Sequence, residues 1–101
     1  MDEKIDEKIQ NAIEAVEHPE ITLSLVDLGM VRDIQVKDSH ATMALVVPFM
    51  GIPEVVKQYM VNSLTQAVQE AGGEVDDIRI EVMTDAERMK FFQMEQSHWR
   101  T

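Results

Sequence analysis

The first eighteen residues show the spacing of an amphipathic helix. Apolar residues recur there at steps of three and four, which places them on one stripe, while charged residues take the opposite side. Pro19 disfavours helical geometry in the residue before it, so we expect this helix to end near His18. The stripe consists of Ile5, Ile9, Ala12, Ile13 and Val16.

Several later segments have the patterns of strands. Residues 31–36 alternate between apolar and polar, residues 41–47 form a nearly continuous apolar run, and the polar turn 37–40 between them predicts an antiparallel hairpin. Residues 78–82 alternate as well and predict a third strand. Residues 21–28 begin with the same alternation, so by period alone they are a further candidate strand.

A long helix is predicted between the second and third strands. Pro48 ends the preceding strand because it cannot donate a ladder hydrogen bond, and Pro53 suits the first helical position. Gly72 and Gly73 supply a C-terminal stop. The apolar stripe of this helix is broad and consists of Val55, Val56, Tyr59, Met60, Leu64, Ala67, Val68 and Ala71.

A last helix is predicted over residues 85–98. Thr84 and Glu87 have the spacing of a capping box, and Met89 and Phe92 are expected to face inward. The element order is therefore α-β-β-α-β-α, which predicts an α/β two-layer sandwich of a small mixed three-stranded sheet with helices on one face. The long helix is sufficient for a crossover, so the second and third strands are expected to run parallel.

Composition limits the class of protein. With 101 residues, 45% of them apolar, the chain can bury a core as a single domain over residues 1–101. A net charge of -10 opposes binding to nucleic acid or to anionic membranes. No apolar stretch approaches the roughly 18 residues of a membrane span, and the N-terminus lacks the pattern of a signal peptide. We therefore expect a soluble, cytoplasmic protein.

Candidate chemistry is sparse. The chain has no cysteine, which excludes thiolate catalysis and cysteine-ligated zinc or iron–sulfur clusters within it. His18, His40 and His98 fall in no nucleophile motif and are interpreted as partly exposed histidines. His18 with Glu20 lacks further metal ligands at a recognisable spacing. We predict no metal, no cofactor and no enzymatic activity, since no acid–base or nucleophilic set is present.

Two surface features each allow two interpretations. Phe49 and Met50 occupy a loop, so they are either buried under the first helix or covered by a partner. The outer face of the central helix is uncharged, which suits either an ordinary solvated face or a docking surface. Methionines are assigned mostly to core filling. The uncharged residues are Gln58, Asn62, Thr65, Gln66 and Gln69, and the methionines placed on core faces are Met43, Met60 and Met89.

Over roughly residues 5–84 the sequence resembles the small iron–sulfur cluster assembly domain. That family includes the phenylacetate-degradation protein PaaD, the maturation factor SufT and the domain that precedes some Mrp-type cluster-carrier ATPases. Its pattern is D-P-E-[IV], then V-D-L-G-[LM]-[IV], then T-x-x-G-C-P at the start of the central helix. The matching strings here are His18-Pro19-Glu20-Ile21, Val26-Asp27-Leu28-Gly29-Met30-Val31 and Gly51-Ile52-Pro53.

The resemblance changes two expectations. It implies that residues 21–28 form a loop or short turn, not a strand. It also implies that Asp27 lies near the loop of residues 48–53, on a surface that handles clusters or target proteins. Residues 85–101 then form a helical extension beyond the shared domain.

Three positions depart from the family pattern: His18 replaces Asp, Pro48 replaces Thr, and Ile52 replaces Cys. Because isoleucine cannot ligate iron or receive sulfur, the ligand role of that cysteine does not carry over. An isoleucine beside Phe49 and Met50 favours protein contact over metal contact.

We therefore predict a non-catalytic accessory or adaptor protein in iron–sulfur cluster assembly or metalloprotein maturation. Its partner would be a metalloenzyme or a cluster-assembly component, and a basic surface on that partner would complement the acidic charge of this chain. The formation of a homodimer is left open. Two alternatives remain: a metal- or cluster-binding carrier that uses carboxylates and His18, and a small regulatory subunit of a multicomponent oxygenase. The predicted partner-binding residues are Glu20, Asp27, Phe49, Met50, Gly51, Ile52 and Pro53.

Overall fold

The computed structural model describes residues 3–98 and confirms the predicted order of helices and strands. The three strands form one sheet in the order β1-β2-β3. The pair β1 and β2 is an antiparallel hairpin, and β2 and β3 run parallel, as the crossover predicted. The elements are α1 (Glu3–Glu14), β1 (Val31–Lys37), β2 (His40–Val47), α2 (Glu54–Glu70), β3 (Glu74–Val82) and α3 (Asp85–His98).

The central strand β2 lies at the middle of the core, and six of its eight residues are buried. Its odd-numbered side chains share a face with apolar residues of β1 and β3, because residues that pair across a ladder point to the same side. The buried stripes of α1 and α2 belong to the same apolar cluster. That cluster includes Ile9, Ile13, Ala41, Met43, Leu45, Met60, Leu64 and Val68.

The opposite face of the sheet is charged. Arg32 of β1 and Arg79 of β3 lie on either side of Ala44 in β2. The guanidinium of Arg32 forms ion pairs with Glu81 at 2.6 Å and with Glu87 at 2.7 Å. Ion pairs of this exposure add little stability individually. Because Glu87 belongs to α3, its bond with Arg32 shows that this helix reaches the charged face of the sheet.

The hairpin turn depends on two residues in the left-handed region. Asp38 and Ser39 have φ values of 52° and 69°, as a two-residue type I′ turn requires. The backbone N–H of Ser39 donates to the carboxylate of Asp6 at 2.9 Å, which ties the turn to α1. Asp33 also has a positive φ, 56°, at a β-bulge in β1.

The predicted end of α1 is wrong by several residues, since the helix ends at Glu14 and not near His18. Beyond it the chain pairs with the following segment: Glu17 forms an isolated antiparallel bridge with Ser24, and the N–H of Leu25 donates to the carbonyl of Val16. These tertiary hydrogen bonds replace the last helical turn.

Residues 21–28 are a succession of bends and turns, so the alternation-based strand is wrong and the expectation drawn from the family resemblance is confirmed. Ile21, Leu25 and Leu28 are all buried. These buried residues are four and three positions apart, whereas a strand would bury every second residue. The N–H of Leu28 bonds the carbonyl of Ser24, and that of Met30 bonds Leu25, which closes the turns locally.

The start of α2 differs slightly from the prediction. Pro53 is the N-cap, not the first helical residue, because its ψ of 136° is extended while its carbonyl accepts from Val56 and Lys57. At the other end the N–H of Gly72, whose φ is 100°, donates to the carbonyl of Gln69, and this confirms the predicted stop.

The strand β3 begins at Glu74, four residues before its predicted start. Three of its first four residues are acidic and poor strand formers, but β2 supplies partners for this part of the strand. Asp76 Oδ1 lies 2.8 Å from His40 Nδ1, and this hydrogen bond raises the pKa of His40. A cross-strand partner thus outweighs low intrinsic propensity.

The capping box of α3 is confirmed, with reciprocal bonds between Thr84 and Glu87. The inward face of this helix was predicted wrongly. Met89 is 66% exposed and Phe92 is 38% exposed, whereas Phe91 is buried. Of the methionines assigned to the core, Met43 and Met60 are buried and Met89 is not. Phe91 turns inward because α3 packs at one end of the sheet and leaves the opposite side of the helix open.

Within residues 3–98 no helix is both long enough and apolar enough to cross a membrane.

Gly73 marks the closest approach of three parts of the fold. A Cβ at this position would stand 2.7 Å from the backbone carbonyl oxygen of Ser39 and would collide with the Cδ1 of Ile9. The exit of α2, the hairpin turn and α1 therefore meet at a point that only glycine leaves unstrained.

We expect Gly73→Ala to lower the free energy of unfolding by about 1–3 kcal/mol, because the backbone of Ser39 cannot move away as a side chain could. Urea unfolding measures this. Gly51→Ala is the matched control, since a Cβ there meets only Phe49 at 3.9 Å. Equal stability of the two variants would contradict the crowding at Gly73.

The charged face predicts acid sensitivity. A side-chain hydrogen bond from Arg32 lowers the pKa of Glu81 below 4.5, and a backbone hydrogen bond from Thr84, with the charge of Arg32, lowers that of Glu87. The folded protein thus binds these protons less readily than the unfolded chain. The stabilisation is present above the unfolded value and is lost as the pH falls through the folded values.

At low salt, we expect the urea concentration at the unfolding midpoint to decrease as the pH is lowered from about 6 to about 3. The decrease should be less steep in Arg32→Gln. Glu87 keeps its bond from Thr84 in that variant, so part of the dependence remains. Identical pH slopes for the two proteins would contradict the assignment to Arg32.

Candidate functional site

An apolar cavity of about 270 Å³ opens at the end of β2. Five parts of the chain surround it: the segment around His18, Met30 just before β1, the loop of residues 48–53, the first turns of α2, and α3. Most of the lining is apolar, with three polar side chains among it. The lining residues are His18, Glu20, Met30, Pro48, Phe49, Ile52, Pro53, Val56, Met60, Phe91, Phe92 and Glu95.

The root of the loop is fixed to α3. Pro48 is buried, and its carbonyl accepts a hydrogen bond of 2.7 Å from Nε of Arg88. The same guanidinium contacts the carbonyl of Met83 and pairs with Asp85 at 2.8 Å. Arg88 therefore holds the end of β2 and the start of α3 together, and the loop projects from a rigid base.

His18 shapes another wall of the cavity. It is only 7% exposed, so its interpretation as a partly exposed histidine is wrong, whereas His40 and His98 are exposed. The backbone N–H of Glu20 donates to Nδ1 of His18 at 3.0 Å. An aspartate can accept the same bond from the residue two positions on. His18 thus makes the turn that the aspartate in the family pattern would be able to make.

The C-terminal end of α3 closes the cavity against this segment. The backbone N–H and the hydroxyl of Thr22 both donate to the carbonyl of His98, at 2.8 and 3.0 Å. Free carbonyls at a helix C-terminus need such donors. The bonds hold α3 across the segment that carries His18 and Glu20.

The tip of the loop is open to solvent. Phe49 is 46% exposed and Met50 is 87% exposed, so neither is buried under α1. Of the two interpretations of these side chains, burial is wrong. Gly51 and Pro53 are also exposed, while Ile52 is partly buried and lines the cavity. Two large apolar side chains therefore stand in water on this loop, and one of them, Phe49, also lines the cavity.

Asp27 does not line this cavity, and the expectation that it lies near the loop stays a prediction. It lines a separate cavity with residues of another side of α3, because the turns of residues 24–30 carry it past that helix. The lining of this second cavity is Val26, Asp27, Leu28, Gly29, Met83, Glu87, Lys90 and Met94. Of the seven predicted residues, Glu20, Phe49, Ile52 and Pro53 line the first cavity.

Sequence reasoning missed two exposed residues beside this loop. Val55 and Tyr59 were placed in the core stripe of α2, but they are 75% and 53% exposed. They lie four residues apart, and each directly precedes a more buried residue, Val56 and Met60 respectively. The width of the apolar stripe could have indicated this exposure, because the stripe is broader than the face that a helix buries. Phe91, Phe92 and Glu95 of α3 were missed as lining residues, since only the tertiary packing brings them there.

The uncharged face of α2 is solvated as expected, with Gln58 and Asn62 hydrogen-bonded to each other at 3.0 Å. Whether it docks a partner stays a prediction.

The chemistry available in the cavity is recognition of an apolar group. Its polar side chains are His18, whose Nδ1 already accepts the N–H of Glu20, and the carboxylates of Glu20 and Glu95. Among the described residues, no group of three or more His, Asp or Glu side chains is placed to hold a metal ion. The arrangement suits a bulky apolar side chain inserted by a partner, with acidic groups around it.

Comparison with known proteins agrees with the fold. A family model described as iron–sulfur cluster assembly protein matches residues 6–82, about three quarters of the chain. The structure also resembles the crystal structure of a domain of unknown function, DUF59, from Bacillus anthracis. The TM-score is 0.60 and the identity 22%, over 90% of this chain and 92% of that one. No curated protein matches the chain.

The role of His18 can be tested by stability. We expect His18→Ala to lower the free energy of unfolding by about 1 kcal/mol, because the N–H of Glu20 loses its acceptor. His18→Asn should lower it less, since the amide oxygen can accept from the residue two positions on. Urea unfolding of both variants checks this, and equal losses would contradict the turn-forming role of the ring nitrogen.

Proposed function

The chain belongs to the iron–sulfur cluster assembly protein family, and we propose that it acts there as a non-catalytic accessory or adaptor protein. In this proposal it binds a metalloprotein or another assembly component through the loop of residues 48–53 and the cavity beside it. The observation that carries the proposal is the pair of exposed apolar side chains, Phe49 and Met50, on a loop whose Phe49 and Ile52 line an apolar cavity.

The residue at the position of the family's cysteine supports a role in protein contact instead of cluster ligation. Ile52 stands there, and its side chain lines the cavity wall. A thioether or hydrocarbon group cannot replace a thiolate as a cluster ligand, and the chain has no cysteine that could act instead. What the loop offers a partner is apolar surface on a base fixed by Arg88.

Exposure of this kind is costly unless a partner covers it. Large apolar side chains that cluster at a pocket mark interaction sites more often than scattered ones do. A partner that places an aromatic or aliphatic side chain in the cavity would bury that group together with Phe49. Met50, which is flexible and polarisable, can adapt to the surface around it.

The charge of the chain indicates the kind of partner. The net charge is -10, and the carboxylates of Glu20 and Glu95 line the cavity. A basic rim on the partner would complement these groups and would accelerate the encounter at low salt. The hydrophobic contact would then supply most of the affinity.

The test is capture by the tagged protein from its native cell. We expect a metalloprotein or a cluster-assembly component to be retained by the wild type and lost with Phe49→Asp/Met50→Asp, because a carboxylate in an apolar contact must be desolvated. Purified partner titrated with the same variants measures the loss of affinity.

Met89→Asp is the matched control. Met89 is 66% exposed, so this variant introduces a carboxylate at an exposed apolar side chain outside the cavity lining, one where the double variant introduces two. Retained capture by Met89→Asp supports the proposed surface. Undiminished capture by the folded Phe49→Asp/Met50→Asp protein overturns it.

A further inference from the structure

The sheet has two edges of different character. The edge strand β1 is interrupted by the bulge at Asp33 and lies against α1. The edge strand β3 keeps an unbroken register with β2 from Asp77 to Val82, and among residues 3–98 no strand pairs with its outer side. Bulges protect sheet edges from pairing, so β3 is the edge that can accept another strand.

The backbone groups that face outward on β3 follow from one hydrogen bond. The N–H of Met83 donates to the carbonyl of Val47 in β2. Because backbone groups alternate in direction along a strand, those of Arg79 and Glu81 also point to β2. The N–H and C=O groups of Ile78, Ile80 and Val82 therefore point to the free edge.

The side chains of the same residues alternate between the faces of the sheet. Ile80 is 46% exposed and Val82 is 39% exposed, and with Ile78 they line the face that carries the helices. Arg79 and Glu81 stand on the charged face, 3.4 Å apart from Nε to Oε2. The outer edge thus combines an apolar row with a row that carries both signs of charge.

We propose that a second copy of this chain pairs with β3, antiparallel, about a two-fold axis at Ile80. In this register Ile80 faces Ile80 of the second copy, and Ile78 faces Val82. The outward backbone groups of these residues then form hydrogen-bonded pairs, six bonds in all by the antiparallel pattern. On the charged face, Arg79 of each copy stands opposite Glu81 of the other.

Other two-fold registers are less favourable. An axis at Arg79 or at Glu81 would place like charges directly opposite each other, which is destabilising. An axis at Ile78 would bring the bulge of β3, where the register with β2 shifts after Val75, into the ladder. The axis at Ile80 avoids both faults, since its pairs from Ile78 to Val82 lie within the regular part of the strand and no like charges meet. This self-complementarity is what an isologous dimer requires.

The axis gives a specific experiment, because the residue on it meets its own copy. We expect the wild type to sediment with twice the 11.5 kDa mass of one chain. Ile80→Lys and Ile80→Asp should each weaken association more than about tenfold, since like charges would face each other. An equimolar mixture of the two variants should recover a dimer that contains one copy of each, detected by native mass spectrometry.

The matched control is Val55→Lys, which adds a charge at an exposed apolar side chain of α2, away from the edge. It should leave the dimer unchanged, and circular dichroism verifies that each variant folds. A wild type that stays monomeric up to its solubility limit overturns the proposal, and leaves the edge to a strand of another protein. Failure of the folded variants to recover a dimer on mixing overturns the axis at Ile80. The proposal does not depend on the role of the loop at residues 48–53.

Discussion

Burial of the strand β2 is the constraint on which the other parts of the molecule depend. Six of its eight residues are buried, and both of its edges are paired, on one side with β1 and on the other with β3. The parallel pairing with β3 requires a crossover, and α2 provides it across the apolar face. The helix α1 then packs beside α2, and the narrow junction at Gly73 determines how closely these parts meet.

The candidate site is a consequence of how the chain leaves that strand. A buried strand that ends at a proline must turn to reach the start of the crossover helix, and the carbonyl of Pro48 needs a donor, which Arg88 of α3 supplies. The loop that results is fixed at its base and exposed at its tip. In a family whose pattern places a cysteine on this loop, the chain has Ile52, with Phe49 and Met50 beside it. This loop geometry could present a reactive side chain, but in this chain it presents an apolar one.

The two proposed surfaces lie on different parts of the fold and use different physics. The loop and its cavity offer side chains, and the affinity of a partner would come from burial of apolar groups. The edge of β3 offers backbone hydrogen bonds, with Ile80 and Val82 adding a half-exposed apolar row.

Periodicity within the sequence was sufficient to predict the order of the elements, the hairpin and the capping box at Thr84, because each depends on neighbours a few residues apart. The parallel crossover followed from the length of the helix between the second and third strands. Periodicity also directed attention to Phe49 and Met50, since apolar residues in a loop stand out in any pattern. Only the tertiary structure decided that Asp27 lines a different cavity from Phe49 and that Phe91, not Phe92, turns inward. For residues 21–28 the period alone predicted a strand, and the family resemblance predicted the turns that the structure has. The physical reason is that a local pattern tells which side of its own element a residue occupies, whereas burial depends on what the rest of the chain packs against that side.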